Sequence, residues 1–259
     1  MTVLAAPRVR GGGTSSFYLW MAVGFALCAF LGFAPTYWAP MAAGAFRGNP
    51  IVHIHGWVFF AWTLFFIAQT GLVANGRIAG HRAFGILGAS LATAVAILGL
   101  LVTLNSLRIG EAMGVGARAE SFTIVPLSDI ALFAVFMLLA LANITRPEIH
   151  KRLMVLAMIS ILDPALSRPF LAFVFTSLPP GPPPVWAPLP ADALADLFLV
   201  AAIVFDVRVR GKPHSAYLVG GAGLIAVQLL RLPVSDSVVW HDAAHSFAGL
   251  AGSIPQVHG

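Results

Sequence analysis

Seven nearly unbroken apolar stretches organise the chain, separated by short polar or proline-rich connections. They run over about 17–38, 51–74, 83–106, 122–143, 152–176, 191–207 and 215–232. Each approaches the roughly 20 residues an α-helix needs to cross a hydrocarbon layer, the sixth being the shortest. Open strands are excluded, because lipid cannot satisfy their backbone groups. A soluble reading would need seven packed helices with almost no polar face. The pattern therefore predicts an all-α integral membrane protein, a seven-helix transmembrane bundle.

Composition agrees. The chain is 59% hydrophobic and only 10% charged, with mean hydropathy +0.88, against about 25% charged in an ordinary soluble domain. The net charge of +5 would raise nucleic acid as a partner in a soluble protein. Here the basic residues sit in loops between apolar stretches, so the implied partner is the lipid bilayer and nucleic acid is set aside. The single cysteine, Cys28, lies in the first stretch and reads as a small buried hydrophobe.

Lys and Arg alternate between the two sides. With the N-terminus inside, the inner segments hold Arg8, Arg10, Arg77, Arg82, Arg146, Lys151, Arg152, Arg208, Arg210 and Lys212, and the outer ones Arg47, Arg108, Arg118 and Arg231. That asymmetry predicts a cytoplasmic N-terminus and an outer C-terminus. Three regions follow: a cytoplasmic tail over 1–16, the membrane domain over 17–232, and an outer surface tail over 233–259 with a short interfacial helix. Asn49 and Pro50 mark the start of the second helix as N-cap and first helical residue. The loop "LPPGPPPVWAPLP" reads as a stiff extended cover on the outer side.

Candidate chemistry falls into two groups. Asp129, Asp163, Arg168 and Asp196 lie inside apolar stretches, where an ionised side chain costs about 2.5–3.5 kcal/mol on insertion scales and needs a partner, a cavity or a task. Ser160, Asp163 and Ser167 share one helix face, and Pro126, Pro164 and Pro169 free backbone carbonyls beside the charges. The arrangement suggests an outward-facing polar pocket, or an ion pair between Arg168 and the acids that locks the bundle. Gln228 and Arg231 lie near the outer end of the seventh helix.

The second group is histidine. The inner loops "ANGRIAGHR", "ANITRPEIHKR" and "FDVRVRGKPHS" each end in a histidine, His81, His150 and His214, a weak internal repeat. Loop histidines without a ligand role account for all three. The sharper reading is haem ligation by His81 and His150, which start neighbouring helices on the inner side. His53 and His55 point about 200° apart on a helix, so one metal takes both only if the first turn is unwound; His55, the deeper, is a candidate outer ligand. His241 and His245 share a face in the tail, a spacing that suits zinc only with a third ligand. Lys151 and Lys212 both lie in inner loops, which excludes a retinal Schiff base in the last helix.

The stretches "HIHGWVFFAWTLFFIAQTGLVANGRIAGHRAFG", "RPEIHKRLM", "RVRGKPHSAYLVGG" and "LLRLP" resemble a group of uncharacterised bacterial multi-pass membrane proteins. "HRAFG" is also loosely similar to the His-basic-x-x-Gly stretches of some membrane cytochromes. The resemblance implies a bacterial inner (cytoplasmic) membrane protein. The expected function is a haem b-binding membrane redox protein exchanging electrons with quinone. The alternatives are a transporter or small-molecule binding protein using the polar pocket, a metal-dependent membrane hydrolase built on His55 and outer carboxylates, and an assembly subunit.

Overall fold

The structure, a computed structural model, describes residues 12–252. Most of the expected N-terminal tail, with Arg8 and Arg10, lies outside the described residues. The described chain is all-helical, with no strand. Helix α1 covers Gly12–Gly32 and continues through a π turn, Ala34–Trp38, into the short α2, Ala39–Ala42. Helix α3 is Pro50–Ala74, α4 is Ile78–Ala83, α5 is Gly85–Ala112 and α6 is Gly116–Ala142. Then come α7 (Pro147–Ser160), α8 (Asp163–Pro169), a second π turn (Phe170–Val174), α9 (Leu189–Arg210), α10 (Ser215–Ser235) and α11 (Val238–Gly252).

Among the described residues, six helical runs are long and apolar enough to cross a membrane: Ser16–Ala42, Pro50–Ala74, Gly85–Ala112, Gly116–Ala142, Pro147–Val174 and Ser215–Ser235. The protein is thus an all-α, multi-pass membrane bundle. Helix α9 is 22 residues long but carries Asp192, Asp196, Asp206, Arg208 and Arg210, and it falls outside the apolar six. It is packed into the bundle against α7, α8 and α10.

The surface is apolar where the bundle would meet lipid. Ile86, Val219 and Trp20 are 81%, 74% and 71% exposed, and apolar exposure on this scale would not suit a protein surrounded by water. The interior joins Phe25, Trp62, Phe66, Phe133, Leu156 and Tyr217 in one cluster. One end carries the Arg-rich connections around residues 75–84, 143–146 and 211–214; the other carries the proline-rich connection and α11. These are called the arginine-rich end and the proline-loop end.

The fifth apolar stretch, expected as one helix, is broken. The backbone leaves the helix at Ile161–Leu162 before Asp163 begins α8. Pro164 has no N–H to donate back to Ser160, and Pro169 leaves the Ala165 carbonyl free in the same way. Gly32 of α1 passes against that Ala165 carbonyl so closely that a Cβ would collide with it. Asn49 takes the extended N-cap conformation with Pro50 following, but its side chain donates to Asn105 Oδ1 at 3.0 Å and not to its own helix.

At the arginine-rich end a buried charge cluster ties three elements together. Arg152 of α7 is 1% exposed. Its guanidinium grips Asp206 of α9 through two nitrogens, Nε at 2.8 Å and Nη2 as a shorter ion pair, and donates from Nη1 to the Glu148 carboxylate at 2.7 Å. It lies 5.7 Å from the ring centroid of Tyr217 on α10. Asp206 also accepts the backbone N–H of His214 at 3.1 Å, which sets the turn between α9 and α10. Removing one partner of a buried pair strands the other, at about 3–5 kcal/mol. Asp206→Ala should therefore lower the thermal unfolding midpoint in detergent far more than Glu148→Ala, whose side chain is 55% exposed. Equal losses would show that Asp206 does not hold the cluster.

Candidate functional site

Two constellations stand out, one at each level of the bundle. The first is at the arginine-rich end. His81 lies in α4, in the short helix between α3 and α5, and His150 lies in the first turn of α7. Their ring centroids are 6.3 Å apart with planes at 69°. His150 Nδ1 stands 2.9 Å from the Ala140 carbonyl of α6. A carbonyl can only accept, so Nδ1 carries the proton and Nε2 keeps a free lone pair. His81 Nδ1 is buried without a hydrogen-bond partner. Burial holds the His81 imidazole below its ordinary pKa, with His150 and Arg82 adding to the effect, so the His81 ring is disposed to the neutral form that ligates metals. His214, the third of the inner set, is otherwise engaged: it caps α10, accepting the Ala216 amide at 3.0 Å.

The second constellation lies toward the proline-loop end, within the bundle. Arg231 of α10 pairs with Asp129 of α6 and with Asp192 of α9 at 3.3 Å, and donates to the Ser128 hydroxyl at 2.8 Å. Gln228, one turn earlier, donates to Asp192 at 3.3 Å and to Asp196 at 3.5 Å. Asp163, at the start of α8, is buried and accepts from the Ser167 hydroxyl at 3.1 Å. Asp129 Oδ2 is buried without a partner.

The sequence-predicted residues are thus partly reassembled. Asp129 and Asp196 meet through Arg231, Asp192 and Gln228, but the cation that closes the cluster is Arg231. Arg168 forms no salt bridge among the described residues: its guanidinium lies 5.7 Å over the Phe33 ring, and the residue lines a cavity of about 230 Å³ with Ser106, Met113 and Pro182. Arg231 was visible as an outer-end arginine, and its i, i+3 relation to Gln228 puts both on one face. Nothing in the chain announced which helix that face would meet.

His53 and His55 diverge as helical spacing requires. The Tyr37 hydroxyl meets His53 Nδ1 at 3.0 Å, while His55 lies against Phe59 with ring centroids 4.1 Å apart and planes tilted by 38°. His55 has no carboxylate beside it, and among the described residues no group of three His, Cys, Asp or Glu side chains could hold a metal ion. His241 and His245 of α11 both face Glu120 of α6. Comparison with known proteins finds no matching family model, no matching curated protein and no matching solved structure.

Two predictions follow from these geometries. Arg231→Met strands Asp129 and Asp192 and should cost about 3–5 kcal/mol of stability, whereas Arg168→Met should leave the unfolding midpoint nearly unchanged. The reverse order, read by thermal unfolding, would reassign the cation. The His81 shift sets a pH window. A base whose folded pKa is depressed binds more protons when unfolded, so its contribution is complete above the ordinary imidazole value of about 6.5 and is lost as pH falls below it. The unfolding midpoint should drop from about pH 7 to pH 5, and His81→Gln should flatten that slope.

Proposed function

We propose that the protein is a haem b-binding membrane redox protein, with His81 and His150 as the residues that would hold the haem. The spacing of the rings carries this reading. An imidazole nitrogen sits about 2.0 Å from a bound metal, so two histidines that share one ion must come close together. The ring centroids of His81 and His150 are 6.3 Å apart, within that reach. The Nδ1–H bond from His150 to Ala140 supplies the support that a ligating histidine ordinarily has, fixing its tautomer and orientation. The orphaned Nδ1 of His81 is a second feature that a ligand role or a bound group would relieve.

The surroundings suit such a group. Ile86, Leu87, Phe84 and Ile144 are exposed apolar side chains near this end of the bundle, and Arg82 and Arg146 would offer positive charge to the propionates. His81 and His150 would hold the haem, which would supply one-electron transfer at a potential tuned by neighbouring hydrogen bonds and burial. The chain's own part is to hold the two imidazoles close to one another, to orient His150 through the Ala140 carbonyl, and to wall the pair with α3, α6 and α7. A lipid-soluble quinone is the natural exchange partner for a site within the bilayer. His55 lies toward the other end of α3, about 28 Å from its C-terminal end at 1.5 Å per residue, so it would serve a separate outer site.

The topology that goes with this reading has seven crossings, α9 being the seventh, with the N-terminus cytoplasmic and the C-terminus outside in a bacterial inner membrane. The excess of Arg and Lys at the end bearing residues 75–84, 143–152 and 207–213 supports that orientation. The second reading is a transporter or small-molecule binding protein. It draws on the cluster of acid, in which Asp129 and Asp192 pair with Arg231, Asp196 meets Gln228, and Asp163 is buried against Ser167. Isolated ionisable groups at such depth mark substrate or proton paths.

A dithionite-reduced minus oxidised spectrum of the purified protein, expressed with haem supplied, separates the two. The redox reading expects a sharp α-band at near-stoichiometric occupancy. That band should disappear in His81→Ala and His150→Ala and persist in His55→Ala. A flat spectrum from monodisperse protein would refute it. The pocket reading would then be checked by ligand-induced thermal stabilisation, expected to vanish in Asp163→Asn.

A further inference from the structure

At the proline-loop end α11 folds back onto the first turns of α6, and His241 comes to rest between two α6 side chains. Its Nδ1 is 2.8 Å from Glu120 Oε2, and its Nε2 is 3.3 Å from the Ser121 hydroxyl. The indole N–H of Trp240 donates to the Glu120 carbonyl at 2.9 Å, pinning the turn of α11 that carries the histidine. Glu120 is mostly shielded, with its other oxygen 3.6 Å from His245 Nδ1. A carboxylate only accepts, so it holds the proton on Nδ1 and leaves the Nε2 lone pair facing the hydroxyl. Carboxylate, imidazole and hydroxyl therefore stand in the order of an orienter, a base and a nucleophile.

The hydroxyl faces space. Ser121 and His241 line a cavity of about 490 Å³, together with Arg118, Trp186, Leu232 and Asp236. Asp236 Oδ1 is 3.5 Å from Ser121 Oγ, farther than His241. Arg118 Nη2 donates to the Pro180 carbonyl, while its Nε is buried and has no hydrogen-bond partner among the described residues. An unpartnered N–H donor on a side chain that lines the same cavity is what a developing oxyanion requires. One wall, Trp186, Leu232 and Pro183, is apolar, and next to it Val238 and Val239 of α11 are 75% and 80% exposed. That surface suits the boundary of a bilayer.

We propose that Ser121, His241 and Glu120 form an acyl-transfer site for carboxylic esters bearing an apolar acyl chain, reached from the membrane surface. Ser121 Oγ bonds to the ester carbonyl carbon as its proton passes to His241 Nε2. The bond from that carbon to the alcohol oxygen breaks, and the alcohol leaves with the proton. Water repeats the sequence on the acyl-serine, releasing the acid and restoring the hydroxyl. Glu120 is a positioning residue that acts through His241. The site shares no residue with the histidine pair of α4 and α7, so it stands or falls independently of haem binding.

The test is covalent labelling of the purified full-length protein, in detergent and in nanodiscs, with a long-chain alkyl fluorophosphonate. The adduct should map to Ser121 by peptide mass spectrometry, vanish in Ser121→Ala, and form at least about 100-fold more slowly in His241→Ala. Glu120→Gln should slow labelling and Glu120→Asp restore part of it, a recovery that a role in folding alone would not give. Hydrolysis of p-nitrophenyl esters should speed up with acyl length. An unlabelled, monodisperse wild-type protein, or an adduct that survives Ser121→Ala, would overturn the site. Indifference to acyl length would overturn the assignment to apolar-chain esters.

Discussion

Buried charge in a lipid-facing bundle must find its counter-charge inside the protein, because no water is there to solvate it. Two arginines meet that demand and organise the fold around them. Arg152 holds α7 to α9 and borders Tyr217 of α10; Arg231 holds α10 to α6 and α9. Together they account for how the polar α9 can sit in an apolar bundle: Asp206 is matched near one end and Asp192 near the other. Such pairs are weak as net stabilisers, since desolvation offsets much of the attraction. Their strength is in what they forbid, because any slip of α9 would leave several ions unpaired at once.

The proline residues divide the labour differently. Pro164 and Pro169 break what would have been one helix and let α8 start at Asp163, beside the Arg231 cluster. The same break brings the freed Ala165 carbonyl against Gly32 of α1, a contact that admits no side chain. Irregular backbone within a membrane protein is tolerated where protein buries it, and here it lies between α1, α8 and α9. The polar interior and the helix break are thus one feature seen from two sides.

The two ends of the bundle differ in chemistry. At the arginine-rich end the rings of His81 and His150 stand 6.3 Å apart beside exposed apolar side chains. At the proline-loop end a hydroxyl, an imidazole and a carboxylate line up beside a cavity. One arrangement suits a flat cofactor, the other an ester.

Much of the fold was legible in the chain because membrane crossing is a local property. A run of about 20 apolar residues is a helix whatever surrounds it, since lipid leaves its backbone no other partner. The apolar stretches, the Asn49–Pro50 start, the divergence of His53 from His55 and the short C-terminal helix all follow from such short-range rules. The proposal that His81 and His150 approach each other was legible for the same reason, since short loops place neighbouring helix ends together. The choice of ion partners was not. Arg168 and Arg231 look alike in the sequence; only the rotation of α8 and α10 about their axes decides that one lies over Phe33 and the other reaches Asp129 and Asp192. Likewise, His241 and His245 lacked a third group until α11 folded onto α6 and set Glu120 against both. Apolar periodicity and loop charge determined the elements, because each depends on residues a few places apart. Helix rotation and the return of the tail belonged to the tertiary structure alone, because they follow from packing between segments more than 100 residues apart.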